Sequence, residues 1–77
     1  MGIPITEMKK NQIVMIKQLV GGVNYQNKVR ALGIREGKNV KIVTIQPFRG
    51  PLVIEIDNMK ITLGRGMAKG IIVEPGE

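Results

Sequence analysis

A junction between a helix and a strand, marked by two glycines, is the feature that most constrains the fold. Residues 31–37 read Ala-Leu-Gly-Ile-Arg-Glu-Gly and run directly into the apolar segment 40–43. Gly33 stands where a helix would end in a left-handed residue, a conformation that costs glycine little. Gly37 suits the turn that feeds a strand. We therefore predict a short helix that stops at Gly33 and passes through a tight turn into a β-strand.

The chain has to fold around an aliphatic core. Its 77 residues predict one domain, residues 1–77, near the lower size limit for folding without a cross-link. Because Cys and His are absent, neither disulfides nor zinc can add stability. No segment has the pattern of a secretory leader or approaches the roughly 18 apolar residues of a membrane span. We expect a soluble, intracellular domain.

Apolar periodicity predicts about five short strands. They are expected at residues 12–20, 38–46, 52–57, 61–63 and 71–73. In the first strand, the inward side chains are predicted to be Val14, Ile16 and Leu19. In the second strand, Val40 and Ile42 are predicted to lie on one face. Val43 and Ile45 are predicted to lie on the other. A hairpin turn is predicted at residues 57–58, a helical or 3₁₀ turn at 64–70, and fraying at 75–77.

One short helix and an ordered lead-in complete the predicted core. Asn24 is the predicted N-cap of the helix, whose apolar stripe is formed by Tyr25, Val29 and Leu32. A helix of about two turns is too short to be stable alone, so it must pack across the sheet. Residues 4–8 are predicted to be ordered, with Ile5 and Met8 covering one end of the core.

These elements predict a mostly β fold, a small and partly open SH3-like barrel with one short helix after the first strand. Closing the sheet protects strand edges in a chain rich in β-branched residues. An OB-fold is the main competing architecture, since it also combines five strands with a helix. OB-fold domains place that helix after the third strand, which favours the SH3-like alternative here.

The order of these features resembles the FeoA family of small ferrous iron transport proteins, whose SH3-like domain also occurs at the C-terminus of iron-dependent repressors. The resemblance covers residues 5–73 and rests on Gly21-Gly22, Leu32-Gly33-Ile34, Gly37 with Val-x-Ile, Gly50-Pro51 with Ile-x-Ile, and Ala68 before a terminal Ile-x-Val. The chain departs from the family pattern at Asn11, where Gly is common. It departs again at Gly64-Arg65-Gly66, which weakens the predicted helical turn.

The resemblance implies an accessory protein rather than an enzyme. FeoA proteins act with the FeoB ferrous iron permease, so the implied role is to dock on the cytoplasmic part of that permease and support or regulate bacterial Fe²⁺ uptake. The implied location is the cytoplasm, peripheral to the inner face of the membrane through the partner. Weak homo-oligomerisation is left open.

Basic residues are the first candidates for a partner surface. Twelve Lys and Arg against six acidic residues give a net charge of +6, which favours an anionic partner. The cations are spread along the chain, which is equally typical of a solvated surface. The best candidate patch lies around the helix end, at Lys28, Arg30, Arg35 and Lys38. A patch there could meet an acidic protein face or the inner leaflet beside a transporter.

Apolar candidates for the partner surface are Tyr25, Phe48 and Met67, with Arg49 beside Phe48. Tyr25 is interpreted as a packed helix residue with a surface hydroxyl in preference to a binding anchor. Phe48 lies in a loop flanked by prolines, where its ring either folds back on the core or meets a partner. Met67 is a gap-filler of the core or an adaptable contact.

Neither a resident metal nor catalysis is expected. Iron sites normally combine His with carboxylates, and the chain has no His. Glu55 and Asp57 share a strand face, which solvent exposure explains equally well. There is no nucleophile–base set and no phosphate-binding glycine loop, so we expect no enzyme activity, no cofactor and no metal site.

A basic SH3-like nucleic-acid-binding module is the alternative function. It predicts positive charge clustered on one face of the barrel and binding to RNA that weakens steeply with salt. The chain has one Tyr and one Phe, too few for a base-stacking platform. Specific nucleic-acid binding is therefore not expected.

Overall fold

The computed structural model describes residues 2–75 and contains one antiparallel sheet with short helices between its strands. The strands are β1 Ile3–Pro4, β2 Ile13–Leu19, β3 Asn39–Ile45, β4 Leu52–Ile56, β5 Met59–Leu63 and β6 Ile71–Pro75. A 3₁₀ turn covers Ile5–Glu7, and the helices are α1, Val23–Ala31, and α2, Arg65–Ala68. The pairing order across the sheet is β1-β6-β2-β3-β4-β5, so its outer edges are β1 and β5, as expected for a partly open barrel.

The predicted strands are present within one or two residues of their expected ends. Within residues 2–75 the sheet has six strands where about five were predicted, because the lead-in pairs with β6 as β1. A two-residue strand is too short to produce a periodic signal. Pro75 was predicted to fray but ends β6, while residues 76–77 of that prediction lie outside the described range.

Helix α1 ends in the motif that the sequence predicts. Leu32 is the C-cap, and Gly33 follows in the left-handed region with φ of 89°. The Ile34 N–H donates to the Val29 carbonyl at 3.1 Å. The Gly33 N–H donates to the Arg30 carbonyl at 2.9 Å. This pair of bonds is a Schellman motif, and Val29 and Ile34 are both fully buried in the core, as its hydrophobic contact requires.

The start and stripe of α1 differ from the prediction. Gly22, in extended conformation, is the N-cap in place of Asn24, and its carbonyl accepts from the Gln26 N–H at 3.0 Å. Tyr25 and Val29 face the core as predicted, whereas Leu32 is 39% exposed. Leu32 is the C-cap, so the chain has already begun to turn away there. Ile34 takes its place in the core.

Gly37 forms the turn that connects α1 to β3. Its φ is 88°, and the Lys38 N–H donates to the Arg35 carbonyl at 3.3 Å. A positive φ at the third position of such a turn is typical of type II. The Gly37 N–H also donates to the Ile16 carbonyl at 2.8 Å, which joins the turn to β2. The predicted entry into the strand is confirmed.

A β-bulge in β3 changes which side chains face inward. Ile42 lies opposite Ile54, and Ile45 lies opposite Leu52, so three steps along β3 correspond to two along β4. The inserted residue shifts the alternation by one, a known effect of bulges. Ile45 therefore packs against the core. The prediction that Ile45 shares a face with Val43, opposite to the face of Ile42, is wrong.

The core consists of apolar side chains from strands β2 to β6, together with those of the lead-in and both helices. The predicted inward residues of β2 are buried, and so are Ile5 and Met8, which cover one end as expected. The buried apolar residues are Ile5, Met8, Val14, Ile16, Leu19, Val29, Ile34, Val40, Ile42, Leu52, Ile54, Ile56, Ile61, Leu63, Ala68, Ile71 and Val73.

Replacing Ile16 by Ala is expected to lower the free energy of unfolding by about 2–5 kcal/mol, because the side chain is 1% exposed and its loss leaves a cavity. Ile13, on the same strand and 58% exposed, provides a matched control. Ile13→Ala should change the stability by no more than about 0.5 kcal/mol. Urea denaturation measures both, and equal losses would contradict the orientation of β2.

Candidate functional surface

The loop between β3 and β4 presents an aromatic ring to solvent on a constrained backbone. The Gly50 N–H donates to the Pro47 carbonyl at 3.1 Å and closes a turn whose central residues are Phe48 and Arg49. Both have positive φ, 57° and 62°, a backbone region that residues other than Gly, Asn and Asp rarely adopt. Phe48 is 99% exposed, so it does not fold back on the core. The other alternative, that the ring contacts a partner, remains a prediction.

Arg65 of α2 holds this loop at its stem. Its Nε donates to the Gly50 carbonyl at 2.8 Å, and its Nη2 donates to the Gln46 carbonyl at 3.0 Å. One guanidinium thus joins both arms of the loop to α2. Gly50 has no room for a side chain, since a Cβ there would lie 2.6 Å from the Gln46 Cβ. Sequence analysis treated Arg65 only as a weak helix position and missed this role.

The opposite side of α2 is joined to α1. The Tyr25 hydroxyl donates to the Met67 carbonyl at 2.6 Å, and both side chains pack against the core. The ring lies directly against the backbones of Gly21 and Gly70, where an added Cβ would approach it to 2.4–2.8 Å. Partial burial raises the pKa of the Tyr25 phenol above its usual value of 10. The preferred interpretation of Tyr25, a packed residue, agrees with this geometry.

Residues 46–51, helix α2 and Tyr25 therefore form one connected region, which we call the loop–helix surface. Arg65 joins α2 to the loop, and the carbonyl of Met67 joins it to α1. Four of the predicted site residues, Tyr25, Phe48, Arg49 and Met67, belong to this region. Phe48 and Arg49 are exposed, while Tyr25 and Met67 are half-buried and act as supports.

The basic residues at the end of α1 are partly neutralised. Arg30 donates to both carboxylate oxygens of Glu36, at 2.9 and 3.0 Å, and this guanidinium lowers the pKa of the Glu36 carboxyl. Lys38 pairs with Asp57 at 2.6 Å. Lys28 and Arg35 are exposed. The predicted patch is therefore not a set of four free cations.

Acidic residues do not form a metal centre in the described part of the chain. Across residues 2–75, carboxylates do not gather in a group of three or more that could hold a metal ion. The same range contains no helix with the length and hydropathy needed to cross a bilayer.

Comparison with known proteins identifies the family. The FeoA domain matches residues 3–75. The chain belongs to the FeoA family. It is 30% identical over 74 residues to the Fe(2+) transport protein A of Methanocaldococcus jannaschii, a match that covers 96% of this chain and 88% of that protein. The resemblance inferred from the glycine and apolar pattern is confirmed.

Solved structures show the same fold. The crystal structure of an iron uptake regulatory protein, FeoA, superimposes with a TM-score of 0.91 at 24% identity and covers 99% of this chain and 100% of its own. A manganese-dependent transcriptional repressor gives a TM-score of 0.89 at 14% identity, with 97% of this chain aligned to 42% of that one. At these identities the likeness concerns fold alone. The predicted SH3-like architecture of FeoA proteins is confirmed.

Tyr25 should titrate above pH 10 in the folded protein. The chain has one Tyr and no Trp, so tyrosinate absorbance reports this residue directly. Because the folded-state pKa is raised, the associated stability is present below about pH 10 and lost as pH rises through the folded-state value. In urea the midpoint should return to about 10. A folded-state midpoint at or below the unfolded one would contradict the buried hydroxyl.

Gly70→Ala should destabilise the domain by about 1–3 kcal/mol, because its Cβ would lie 2.5 Å from the Val20 carbonyl oxygen and 2.7 Å from the Tyr25 hydroxyl. Gly66→Ala is the matched control, since a Cβ there meets nothing within 4 Å. Because Gly66 lies within α2, alanine should be neutral or stabilise by up to about 1 kcal/mol. Thermal unfolding compares the two, and a Gly70→Ala variant as stable as wild type would refute the close approach.

Proposed function

We propose that this protein is a non-catalytic accessory protein of ferrous iron uptake that docks on the cytoplasmic part of a FeoB-type permease. Membership of the FeoA family over residues 3–75 supports the iron-uptake role, as does the relative named as an Fe(2+) transport protein. A shared fold alone would not support a function, because small barrels serve many purposes. The proposal therefore depends on identifying a surface built for a partner.

The exposure and backbone conformation of Phe48 are the observations on which the docking proposal depends. Its ring is 99% exposed, so folding gains almost nothing from its hydrophobic surface. Its backbone also adopts a positive φ that is unfavourable for a bulky residue. Such a conformation persists when surrounding contacts impose it, and it is concentrated at functional sites. A partner that covers the ring would gain the hydrophobic free energy that folding of the isolated domain leaves unused.

The rest of the loop–helix surface supports this role by holding Phe48 in place. Arg65 anchors both arms of the loop through main-chain carbonyls. Pro47 and Pro51 restrict the backbone on either side of the turn. A loop already held in one conformation loses less entropy when it binds. The ring is therefore an exposed aromatic group on an anchored loop.

The remaining predicted site residues are assigned secondary roles. Lys28 and Arg35 are exposed cations on and after α1, suited to steering an acidic partner more than to tight binding. Arg30 is paired with Glu36, and we expect it to contribute less. Tyr25 and Met67 position α2 through their hydrogen bond. Phe48 and Arg49 are therefore the proposed direct contacts.

The nucleic-acid alternative draws less support. Lys17, Arg30 and Lys38 each pair with a carboxylate at 3.0 Å or less, which reduces the positive charge available to phosphates. Base stacking by single-stranded nucleic acid uses several aromatic rings. The chain has one Tyr and one Phe. Tyr25 is half-buried and its hydroxyl donates to the Met67 carbonyl, so only Phe48 has a ring exposed for stacking.

Phe48→Gly should weaken binding to the cytoplasmic domain of a FeoB-type permease by tenfold or more, because it removes the exposed ring. The same substitution should leave the free energy of unfolding unchanged or raise it by up to about 1 kcal/mol, since glycine tolerates the positive φ. Isothermal titration calorimetry and thermal unfolding measure the two effects.

Met59→Ala is the matched control for that experiment, because Met59 is an exposed apolar residue beside the other hairpin turn. It should bind the permease domain as wild type does. Wild-type affinity in Phe48→Gly would refute the assigned surface. No binding by the wild-type protein would refute the docking proposal itself.

A further inference from the structure

A concave site of about 320 Å³ lies at one side of the loop–helix surface and includes part of it. It is open to solvent and is bordered by segments far apart in the chain: the 3₁₀ turn, the β3–β4 loop and the region of α2. The described residues that line it are Thr6, Arg49, Arg65, Gly66 and Lys69. Its volume falls at the lower end of the range for sites that hold small molecules.

The charge of this cavity has one sign. Arg49, Arg65 and Lys69 contribute cations, and its lining includes no acidic side chain. Within residues 2–75, no carboxylate lies within 4.0 Å of these three side-chain charges. Glu7 follows Thr6 in the chain but is exposed and does not line the cavity. Like charges held together repel one another, and an anion between them relieves that repulsion.

The residues that line the cavity supply several hydrogen-bond donors. Arg65 is oriented by its bonds to the Gly50 and Gln46 carbonyls. Among the described residues, its Nη1 has no protein acceptor and stays available. The lining side chains of Thr6, Arg49 and Lys69 add hydroxyl, guanidinium and ammonium donors. A single carboxylate needs only one such guanidinium, whereas the tetrahedrally placed oxygens of a phosphate group can accept from several directions at once.

We propose that this cavity binds a phosphate group, either as free phosphate or as the headgroup of an anionic lipid. The cavity uses Arg49, Arg65 and Lys69. It shares Arg49 with the proposed docking surface, but the docking proposal is tested at the ring of Phe48, which does not line the cavity. The phosphate site does not require that a permease bind at all. Both sources present non-bridging phosphate oxygens to the same donors, although the lipid headgroup is a monoanionic diester, and experiment separates them.

The first arm titrates the folded protein with inorganic phosphate in chloride buffer and follows backbone amide signals by NMR. We expect saturable shifts at Thr6, Gly50 and Gly66, and weaker binding as added chloride screens the charges. The second arm measures co-sedimentation with phosphatidylcholine vesicles that contain or lack phosphatidylglycerol. Binding only when phosphatidylglycerol is present would identify the lipid as the source.

Lys69→Ala and Arg49→Ala are the test variants, because both side chains are exposed and neither is needed to hold the loop. Each should weaken binding about tenfold, the loss expected when one charge-assisted hydrogen bond is removed. Lys28→Ala removes an exposed cation that does not line the cavity and is the matched control. It should bind as wild type does.

Saturable binding in either arm that Lys69→Ala and Arg49→Ala weaken, and Lys28→Ala does not, would support the site. Failure of the wild-type protein to bind phosphate or phosphatidylglycerol vesicles would overturn it. So would equal weakening by Lys28→Ala and Lys69→Ala, since that result would indicate a general effect of net charge. Unchanged binding in both cavity variants would also overturn it.

Discussion

Burial of aliphatic side chains inside the curled sheet is the constraint on which the rest of the structure depends. With no Cys and no His, the chain cannot use a disulfide or a zinc site to compensate for its small size. The Schellman motif at Gly33 serves this burial directly, because it turns the chain so that Val29 and Ile34 both enter the core. The 3₁₀ turn and α2 then cover parts of the core that the sheet leaves open, through Ile5 and Ala68.

Helix α2 is short, yet it connects the parts of the proposed docking surface. Arg65 reaches the β3–β4 loop, and the Met67 carbonyl receives the Tyr25 hydroxyl of α1. These contacts explain how a turn that contains Gly66 can remain helical despite the poor helix propensity of glycine. Tertiary hydrogen bonds outweigh the local preference. The same contacts hold an aromatic ring away from the core and leave a cationic cavity beside it.

Sequence reasoning succeeded where local chemistry decides conformation. The positive φ of Gly33 and Gly37 follows from the tolerance of glycine, and the Asp57-Asn58 turn follows from residues that accept a left-handed backbone. It failed at Ile45, since a bulge depends on the fit between two strands. It also failed to anticipate the pairing of Arg30 with Glu36, which requires the turn after α1 to be placed against the helix.

The sequence by itself determined the order of the elements, the helix stop, most of the inward faces and membership of the FeoA family. The helix stop and the inward faces depend on residues within a few positions of one another, and the family pattern is a series of such local motifs in a fixed order along the chain. Only the tertiary structure decided that Phe48 stands exposed, that Arg65 anchors its loop, and that Lys69 joins Arg49 around one cavity. Those outcomes depend on the twist and register of the sheet, which bring distant segments together and leave no trace in the spacing of residues.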